Sequence, residues 1–469
     1  MPNWRRTRSS ASSSIATTWC RWRGSAEPGR ARAPRFSRVA PRATLSAVRL
    51  AHAQHATAAR ACATKSLGIA LAMPGPRNAE PQPTWGTSEM HKMRRALLAV
   101  LAVTATQFAI AQQEPIVIGA SIPMSGGVST FGQHSRWGSE LAMEEANAAG
   151  GVLGRKVEID YQDNRCNPAE AVKSVTQMIA QKKYVAIFDG LCSSAALAIM
   201  PLVERAEIPF VVANASATSI AEKSGVGGNK WTFKVNPTDA SMLDALVAWL
   251  DKEGKAKNIA FLGEDTDFGR AGSTGLEEAL KKRGHKLAMT DFYQKGTADF
   301  SSVLAKIKAR KPAALALYAI DADFQNMMRQ WNGMGGGVPL TGRVLVDQVP
   351  KEIMSTGVLD GTTAVQPYDV NIDTPANKAF VEAYKKKSGG TAPIMVGFES
   401  YEATRILLDA IKRAGSTQPA AIRDALAKTK YDSILGTTLE FDKNNLIHNN
   451  AVILGVRDGK VVVLGFSKT

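Results

Sequence analysis

The chain has 469 residues and a formal net charge of +16, a charge that would ordinarily suggest binding to nucleic acid or to an acidic membrane. The excess is concentrated at the start, since residues 1–111 contain 17 Lys and Arg against 3 Asp and Glu, and the other 358 residues contain 41 against 39. The body of the protein is nearly neutral, so the sequence predicts no basic groove and no nucleic-acid partner.

The first part of the chain has two segments that we expect to be absent from the exported protein. Residues 1–89 are rich in Arg, Ala, Ser and Pro and have no regular apolar period, which predicts a disordered extension. Residues 90–111 have the parts of a signal peptide: a basic start, an apolar run and an A-x-A cleavage pattern ending at Ala111. The apolar part covers about 16 residues, fewer than the ~20 that span a bilayer. We expect translation to start at Met90 or Met93, leaving 1–89 untranslated, and cleavage to release a soluble periplasmic protein without a lipid anchor.

Short apolar runs then alternate with amphipathic stretches. The first series reads, in chain order, strand IVIGASIP, helix WGSELAMEEANAAGG, strand KVEIDYQD, helix NPAEAVKSVTQMIAQKK, strand YVAIFDG, helix SSAALAIMPLVERAE and strand PFVVAN. Gly150 or Gly151 is expected to cap the end of the first helix, and Asn167 to cap the start of the second. Pro201 predicts an interruption of the third helix.

A second series of similar size follows without a low-complexity linker. Its predicted strands and helices are NIAFLGED, FGRAGSTGLEEALKKRG, KLAMTDFYQ, FSSVLAKIKARK, AALALYAI, ADFQNMMRQWNGMGG and a strand in RVLVDQ, and two more helices and a hairpin turning at Asp458 and Gly459 complete the chain. Alternation of this kind is typical of an α/β protein with parallel sheets covered by helices on both faces. We predict two doubly wound lobes with a cleft between them.

Ligands of open α/β sheets bind beyond the carboxyl ends of the strands, so the residues after each predicted strand form the candidate site. They are Pro123 to Gly127, Gly190 to Ser194, Asn214 to Thr218, Asp265 to Phe268, Ile320 with Asp321, and Asp347 with Gln348. Hydroxyls beside helix amides in the first unit favour a carboxylate, and aspartates in the second favour an ammonium group. A zwitterion would satisfy both. Alternatively, the serines cap a helix and the aspartates are solvated loop charges.

Cysteine and histidine usage limits the possible chemistry. The exported part retains Cys166 and Cys192, which form either one disulfide or two buried thiols. Its three histidines, His134, His285 and His448, are far apart in sequence, and no G-x-S-x-G or H-E-x-x-H motif occurs. The glycine-rich GMGGGVP follows a helix instead of opening one, which argues against a nucleotide site. We predict no enzyme activity, no metal and no cofactor.

Two long stretches resemble a known family. The segments IVIGASIPMSGG…LAMEEANAAGGVLGRKVEIDYQDNRCNPAEAVKSV and GLCSSAALAIMPLVERAEIPFVVANASAT are similar to the branched-chain amino-acid-binding proteins of ABC transporters, which are type I periplasmic binding proteins. The resemblance implies two lobes joined by a three-segment hinge. The implied lobe 1 is 114–235 with 368–445, the implied lobe 2 is 236–367 with 446–469, and the hinge lies near Asn236, Pro367 and Leu446.

The resemblance also implies roles for individual residues. It pairs Cys166 with Cys192 in a disulfide. The ligand-binding residues that it implies are Phe131, Ser193, Ser194, Ser216, Ala217, Thr218, Phe268 and Asp347, with the carboxylate at Ser193 and Thr218 and the ammonium group at Asp347. The segment YAIDAD departs from the aromatic residues that the family commonly has there, and Asp321 would then place an additional acid in the cleft.

The function implied is that of a monomeric binding protein that captures a small amino acid and delivers it to a membrane permease. Two alternatives stay open. One is the binding of another small carboxylate or amide, such as an aromatic acid or urea, for uptake or sensing. The other is an exported α/β enzyme, which the absence of a nucleophile–base motif disfavours.

Overall fold

A computed structural model of the protein describes residues 114–468. The predicted extension and signal peptide, residues 1–89 and 90–111, lie outside the described residues. The described part is an α/β structure with two sheets of mainly parallel strands, which confirms the predicted fold class.

Fourteen strands occur in the described part, labelled here in chain order. They are β1 Ile116–Ile122, β2 Val157–Asp163, β3 Tyr184–Asp189, β4 Phe210–Val212, β5 Thr232–Lys234, β6 Ile259–Glu264, β7 Leu287–Tyr293, β8 Ala314–Tyr318, β9 Leu340–Gly342, β10 Thr363–Gln366, β11 Lys430–Asp432, β12 Thr438–Glu440, β13 Asn450–Arg457 and β14 Lys460–Lys468.

Twelve α-helices occur in the same part. They are α1 Ser129–Ala148, α2 Pro168–Gln181, α3 Ser193–Ala206, α4 Thr218–Glu222, α5 Asp239–Lys252, α6 Asp267–Lys281, α7 Ser301–Ala309, α8 Asp321–Gly333, α9 Lys351–Met354, α10 Pro375–Ser388, α11 Met395–Ala414 and α12 Pro419–Leu426. A single-turn 3-10 helix covers Val346–Gln348.

The strands form two large sheets, and each is the centre of one lobe. The first lobe has the five-stranded order β2-β1-β3-β4-β5, with every pair parallel. The second lobe has the seven-stranded order β14-β13-β10-β9-β8-β6-β7, in which β13 and β14 are antiparallel additions. The direction of winding reverses between β1 and β3 and between β6 and β8. Such reversal points are where doubly wound sheets bind ligands.

Burial explains why these segments are strands and helices. Six of the seven residues of β1 are buried, as expected for a parallel strand covered on both faces. Asn167 caps α2 as predicted, because its Oδ1 accepts from Ala169 N at 2.9 Å and from Glu170 N at 3.2 Å. The C-terminal hairpin turns at Asp458 and Gly459, also as predicted.

Two sequence predictions were wrong. Helix α3 runs without a break through Pro201, because Ile199, Met200 and Val203 are buried on both sides of the proline and hold the helix despite one missing backbone bond. The strand predicted in RVLVDQ lies earlier, at Leu340–Gly342. Gly342 has a φ of +85°, which ends the strand and leaves the following residues as a loop with a 3-10 turn.

The chain passes between the two sheets three times, after β5, after β10 and after β12. The first and third passages pair with each other, since Lys234 N donates to Asn445 O at 2.8 Å and Ile447 N donates to Lys234 O at 3.0 Å. The positions of the domain boundaries and of the hinge stay predictions.

Candidate functional site

The corner between β3 and α3 has an unusual backbone. Asp189, Gly190 and Leu191 have φ values of +72°, +83° and +46°, a left-handed run that costs free energy for residues other than glycine. Asp189 stabilises the run, because its buried carboxylate accepts from Leu191 N at 3.1 Å and from Asn214 Nδ2 at 2.9 Å. The tight turn lets α3 begin immediately beyond the end of β3.

The predicted disulfide between Cys166 and Cys192 is present, with the Cα atoms 5.5 Å apart, and it is thereby confirmed. Cys192 is the residue before α3, and its side chain makes no capping bond to the helix. The first amides of α3, at Ser193 and Ser194, therefore have no side-chain acceptor from that cap. A helix N-terminus in this condition attracts an anion.

A cavity of about 570 Å³, counting its opening to solvent, lies where the two lobes face each other. Its apolar walls are Phe131, Leu191, Phe268, Ile320, Met395 and Val396. Residues after β1, β3, β6 and β8 all contribute to the lining, as the reversal points of both sheets lead one to expect.

Four side chains of the cavity lining have a buried polar atom without a hydrogen-bond partner. The atoms are Asn214 Oδ1, Glu264 Oε2, Arg343 Nε and Glu399 Oε1. More than nine in ten buried polar groups in proteins are paired, so these four atoms are candidates for bonds to a ligand or to ordered water. The cluster combines two acids, one base and one amide.

The two acids are set in the wall at different places. Glu264 ends β6 and is 3 % exposed, and its other oxygen accepts from Thr266 Oγ1 at 2.6 Å. Burial raises the pKa of Glu264. Glu399 lies on α11 of the first lobe, and burial raises its pKa to about 8, although Arg343 and Lys234 act in the opposite direction.

Five of the residues predicted from the sequence line this cavity together: Phe131, Ser193, Ser194, Ser216 and Phe268. Ala217 and Thr218 lie just behind it and are not part of the lining. Ala217 N donates to Ser193 Oγ at 3.2 Å, and Thr218 Oγ1 accepts from Ala240 N at 3.2 Å. Both therefore position the corner and the following helix.

The two predicted aspartates of the second lobe are not part of the lining either. Asp321 is buried, and its Oδ2 accepts from Thr130 N at 3.0 Å and from Phe131 N at 3.3 Å at the start of α1 in the other lobe. Asp347 lies in the 3-10 helix and accepts from Gln366 Nε2 at 3.0 Å. Burial raises the pKa of Asp347 to about 6.

The site residues predicted from the sequence do not include Glu264, Arg343 or Glu399. Glu264 follows an apolar run directly and could have been found as the last residue of a buried strand. The sequence predicted a strand in RVLVDQ, which begins at Arg343. The strand in fact ends at Gly342, so the position of Arg343 just beyond a strand end was missed. Glu399 lies on a helix whose residues from Met395 to Thr404 are all buried, and the sequence of that helix gives no sign of this burial.

No group of three or more potential metal ligands occurs among residues 114–468. None of the helices in this part of the chain has the length and apolar character needed to cross a bilayer.

Comparison with known proteins places this architecture in a family. The model of the family described as "Periplasmic binding protein" matches residues 115–460. The chain belongs to the periplasmic binding protein family. A relative in Brucella abortus (strain 2308), named "Leu/Ile/Val-binding protein homolog 7", is 26% identical over 400 residues, which cover 79% of this chain and 96% of the relative.

Two solved structures of binding proteins have a similar fold. A leucine binding protein from Thermotoga maritima superposes with a TM-score of 0.65 at 25% identity, covering 75% of this chain and 98% of its own. A solute binding protein of an ABC transporter from Rhodopseudomonas palustris BisB5, solved with 3,4-dihydroxy benzoic acid, gives 0.68 at 22% identity and covers 76% and 98%. At 22% identity, the second structure shows only that the fold is similar.

Proposed function

We propose that this periplasmic binding protein is the exported substrate-binding component of an ABC transporter. It works as a monomer in the periplasm, carries out no bond chemistry, captures a small amino acid of the branched-chain type and delivers it to a membrane permease. The observation that supports this best is the cluster of four unpaired polar atoms inside an apolar-walled cavity between two lobes. The names of the Brucella relatives agree with it.

The cavity offers a place for each part of such a ligand. The apolar side chain would pack on Phe131, Leu191 and Phe268. The carboxylate would meet the free amides at Ser193 and Ser194, as the sequence predicts. The ammonium group would meet the free oxygen of Glu264, which lines the cavity, instead of Asp347, which does not.

Capture would end with closure of the lobes, because contacts already cross the cleft beside the cavity. Asp267 N donates to Ser194 Oγ at 3.3 Å, and Lys295 Nζ donates to Cys166 O at 3.2 Å. Closure excludes water and strengthens the charged hydrogen bonds to the ligand. The closed form would present one surface to the permease.

A second candidate is another small carboxylate or amide, for example an aromatic acid. The observation in its favour is that burial raises the pKa of both Glu264 and Glu399. A protonated carboxyl group can donate to a ligand hydroxyl or carbonyl oxygen, and it offers less charge to an ammonium group.

A thermal-shift and calorimetric screen of the exported chain separates the candidates. Leucine, isoleucine and valine form one set, benzoate and 4-hydroxybenzoate a second, and urea and acetamide a third. We expect one-to-one binding of a member of the first set. Binding confined to the second or third set would overturn the amino-acid assignment, and turnover of any compound would overturn the assignment as a binding protein.

A further inference from the structure

We infer that Arg343 binds the carboxylate of the ligand from the second lobe, so that the protein accepts free acids and rejects their amides. This inference rests on the proposed function and specifies the class of ligand that the same cavity takes. It also adds a cation to the second lobe, for which the sequence predicted only acids that meet an ammonium group.

Arg343 is fixed at the edge of the cavity by its backbone. It follows β9 directly, and its N–H donates to Leu317 O of β8 at 3.2 Å. The side chain lines the cavity and is 5 % exposed. A cation at this depth has little water to bond to, so its bonding must come from protein or ligand.

The protein gives the guanidinium group very few acceptors. Its Nη1 and Nη2 donate to the sulfur atoms of Met242 and Met395 at 2.9 and 3.6 Å, and Nε has no partner. Thioether sulfur is a weak acceptor, and a guanidinium group has five N–H donors. Among residues 114–468, the structure gives this group no oxygen acceptor within hydrogen-bond distance.

The nearby acid does not complete the bonding. Asp239 Oδ1 is 3.7 Å from Nη1, an ion pair without a hydrogen bond. The carboxylate of Asp239 already accepts from Ser216 Oγ at 3.1 Å and from Tyr318 OH at 3.4 Å. Asp239 therefore balances part of the charge and leaves the Nε edge of Arg343 free.

A carboxylate matches that free edge. Its two oxygens accept two parallel N–H bonds from a guanidinium group, an arrangement stronger than a bond between neutral groups. A dianion such as phosphate fits less well, since the two cations of the lining, Arg343 and Lys295, are matched there by two acids, Glu264 and Glu399. The expected ligand is a monocarboxylate with an apolar body.

The wild-type chain provides the first test, without any substitution. Calorimetry compares leucine with leucinamide and benzoate with benzamide. We expect the acid of the pair that binds to bind at least tenfold more tightly than its amide. Equal affinities for acid and amide would overturn the inference and leave the proposed binding function intact.

Variants provide the second test. Arg343→Gln should remove the preference for the acid. Arg343→Lys, which keeps the positive charge but lacks the paired N–H donors of a guanidinium group, should retain part of the preference. Arg329→Gln, an exposed residue on α8, is the matched control and should change nothing. Retention of the full acid preference by a folded Arg343→Gln variant would contradict the inference.

Native mass spectrometry of the exported chain, purified without denaturation, covers the case in which neither pair binds. A co-purified compound with a carboxyl group would support the inference, and a compound without one would overturn it. Failure of the wild-type chain to bind any small molecule would be a failure of the proposed function itself, and the inference would fall with it.

Discussion

Individual side chains, more than the fold, decide what enters the cavity. Glu264 and Asp347 are rival partners for an ammonium group, and they differ in place. Glu264 lines the cavity with one oxygen unpaired, whereas Asp347 is held by Gln366 outside the lining. A charge-assisted hydrogen bond to an ammonium group requires direct contact, so the structure favours Glu264.

Paired substitutions test this choice. Glu264→Gln should weaken leucine binding at least tenfold, equivalent to about 1.4 kcal/mol, because a neutral amide cannot balance the ammonium charge. Asp347→Asn should leave affinity within about twofold, since its partner Gln366 is outside the cavity. Isothermal titration calorimetry measures both. The reverse ranking would restore Asp347 as the ammonium partner.

The buried acid Glu399 makes stability depend on pH. Its folded pKa is about 8 against an ordinary 4.5, so between these values the folded protein keeps a proton that the unfolded chain has lost. The corresponding stability is complete below pH ~4.5 and is lost as pH rises through 8. Glu399→Gln, which cannot ionise, should therefore become more stable relative to wild type as pH rises.

Denaturant unfolding of the ligand-free protein at several pH values measures this difference. The relative gain of Glu399→Gln between pH 5 and pH 8 should be on the order of 2–4 kcal/mol. Asp360→Asn, which replaces an exposed acid, serves as the control. A gain independent of pH would show that Glu399 ionises normally.

At the scale of elements, α1 of the first lobe is capped by a residue of the second. Its own N-cap residue, Val128, has no side chain that can accept a hydrogen bond, and Asp321 Oδ2 accepts from Thr130 N and Phe131 N instead. Ala322 N also donates to Gly127 O at 3.1 Å across the cleft. In the proposed closure these contacts would form only when the lobes come together, and they would stabilise the closed form.

Asp321→Asn should weaken binding of every ligand by a similar factor, about fivefold, because loss of a cap costs about 1 kcal/mol of closed-state stability. Asp323→Asn is the matched control on the same helix, because Asp323 accepts from Gly296 N within the second lobe. Calorimetry with two different ligands measures the factor. A change in preference between the ligands would instead make Asp321 a specificity residue.

The disulfide is a second element-scale feature, since both cysteines also line the cavity. Replacing both with serine should lower the free energy of unfolding by on the order of 3–4 kcal/mol, the loop-closure contribution of a bridge spanning 26 positions. Chemical denaturation measures the loss. Reductant should destabilise the wild type and leave the double variant unchanged, and equal effects on both would contradict the assignment.

At the scale of the whole molecule, periodicity predicts the fold well, because alternating apolar strands and amphipathic helices leave few topologies. The Asn167 cap and the terminal hairpin follow from local chemistry and are confirmed. The candidate site is harder to predict from the sequence, because it depends on contacts between distant segments. Asp321 and Thr218 have polar side chains at the ends of elements, yet tertiary partners already occupy them.

The same limit explains Arg343 and Glu399. Both are charges whose role depends on burial beside a cavity, and sequence position alone gives no measure of burial.

Closure of two lobes around one ligand is the central claim, and a crystal structure of the exported chain with its ligand bound tests it most directly. We expect density for one small acid in contact with Ser193 of the first lobe and with Arg343 and Glu264 of the second. Density on one lobe alone, or outside this cavity, would contradict the account.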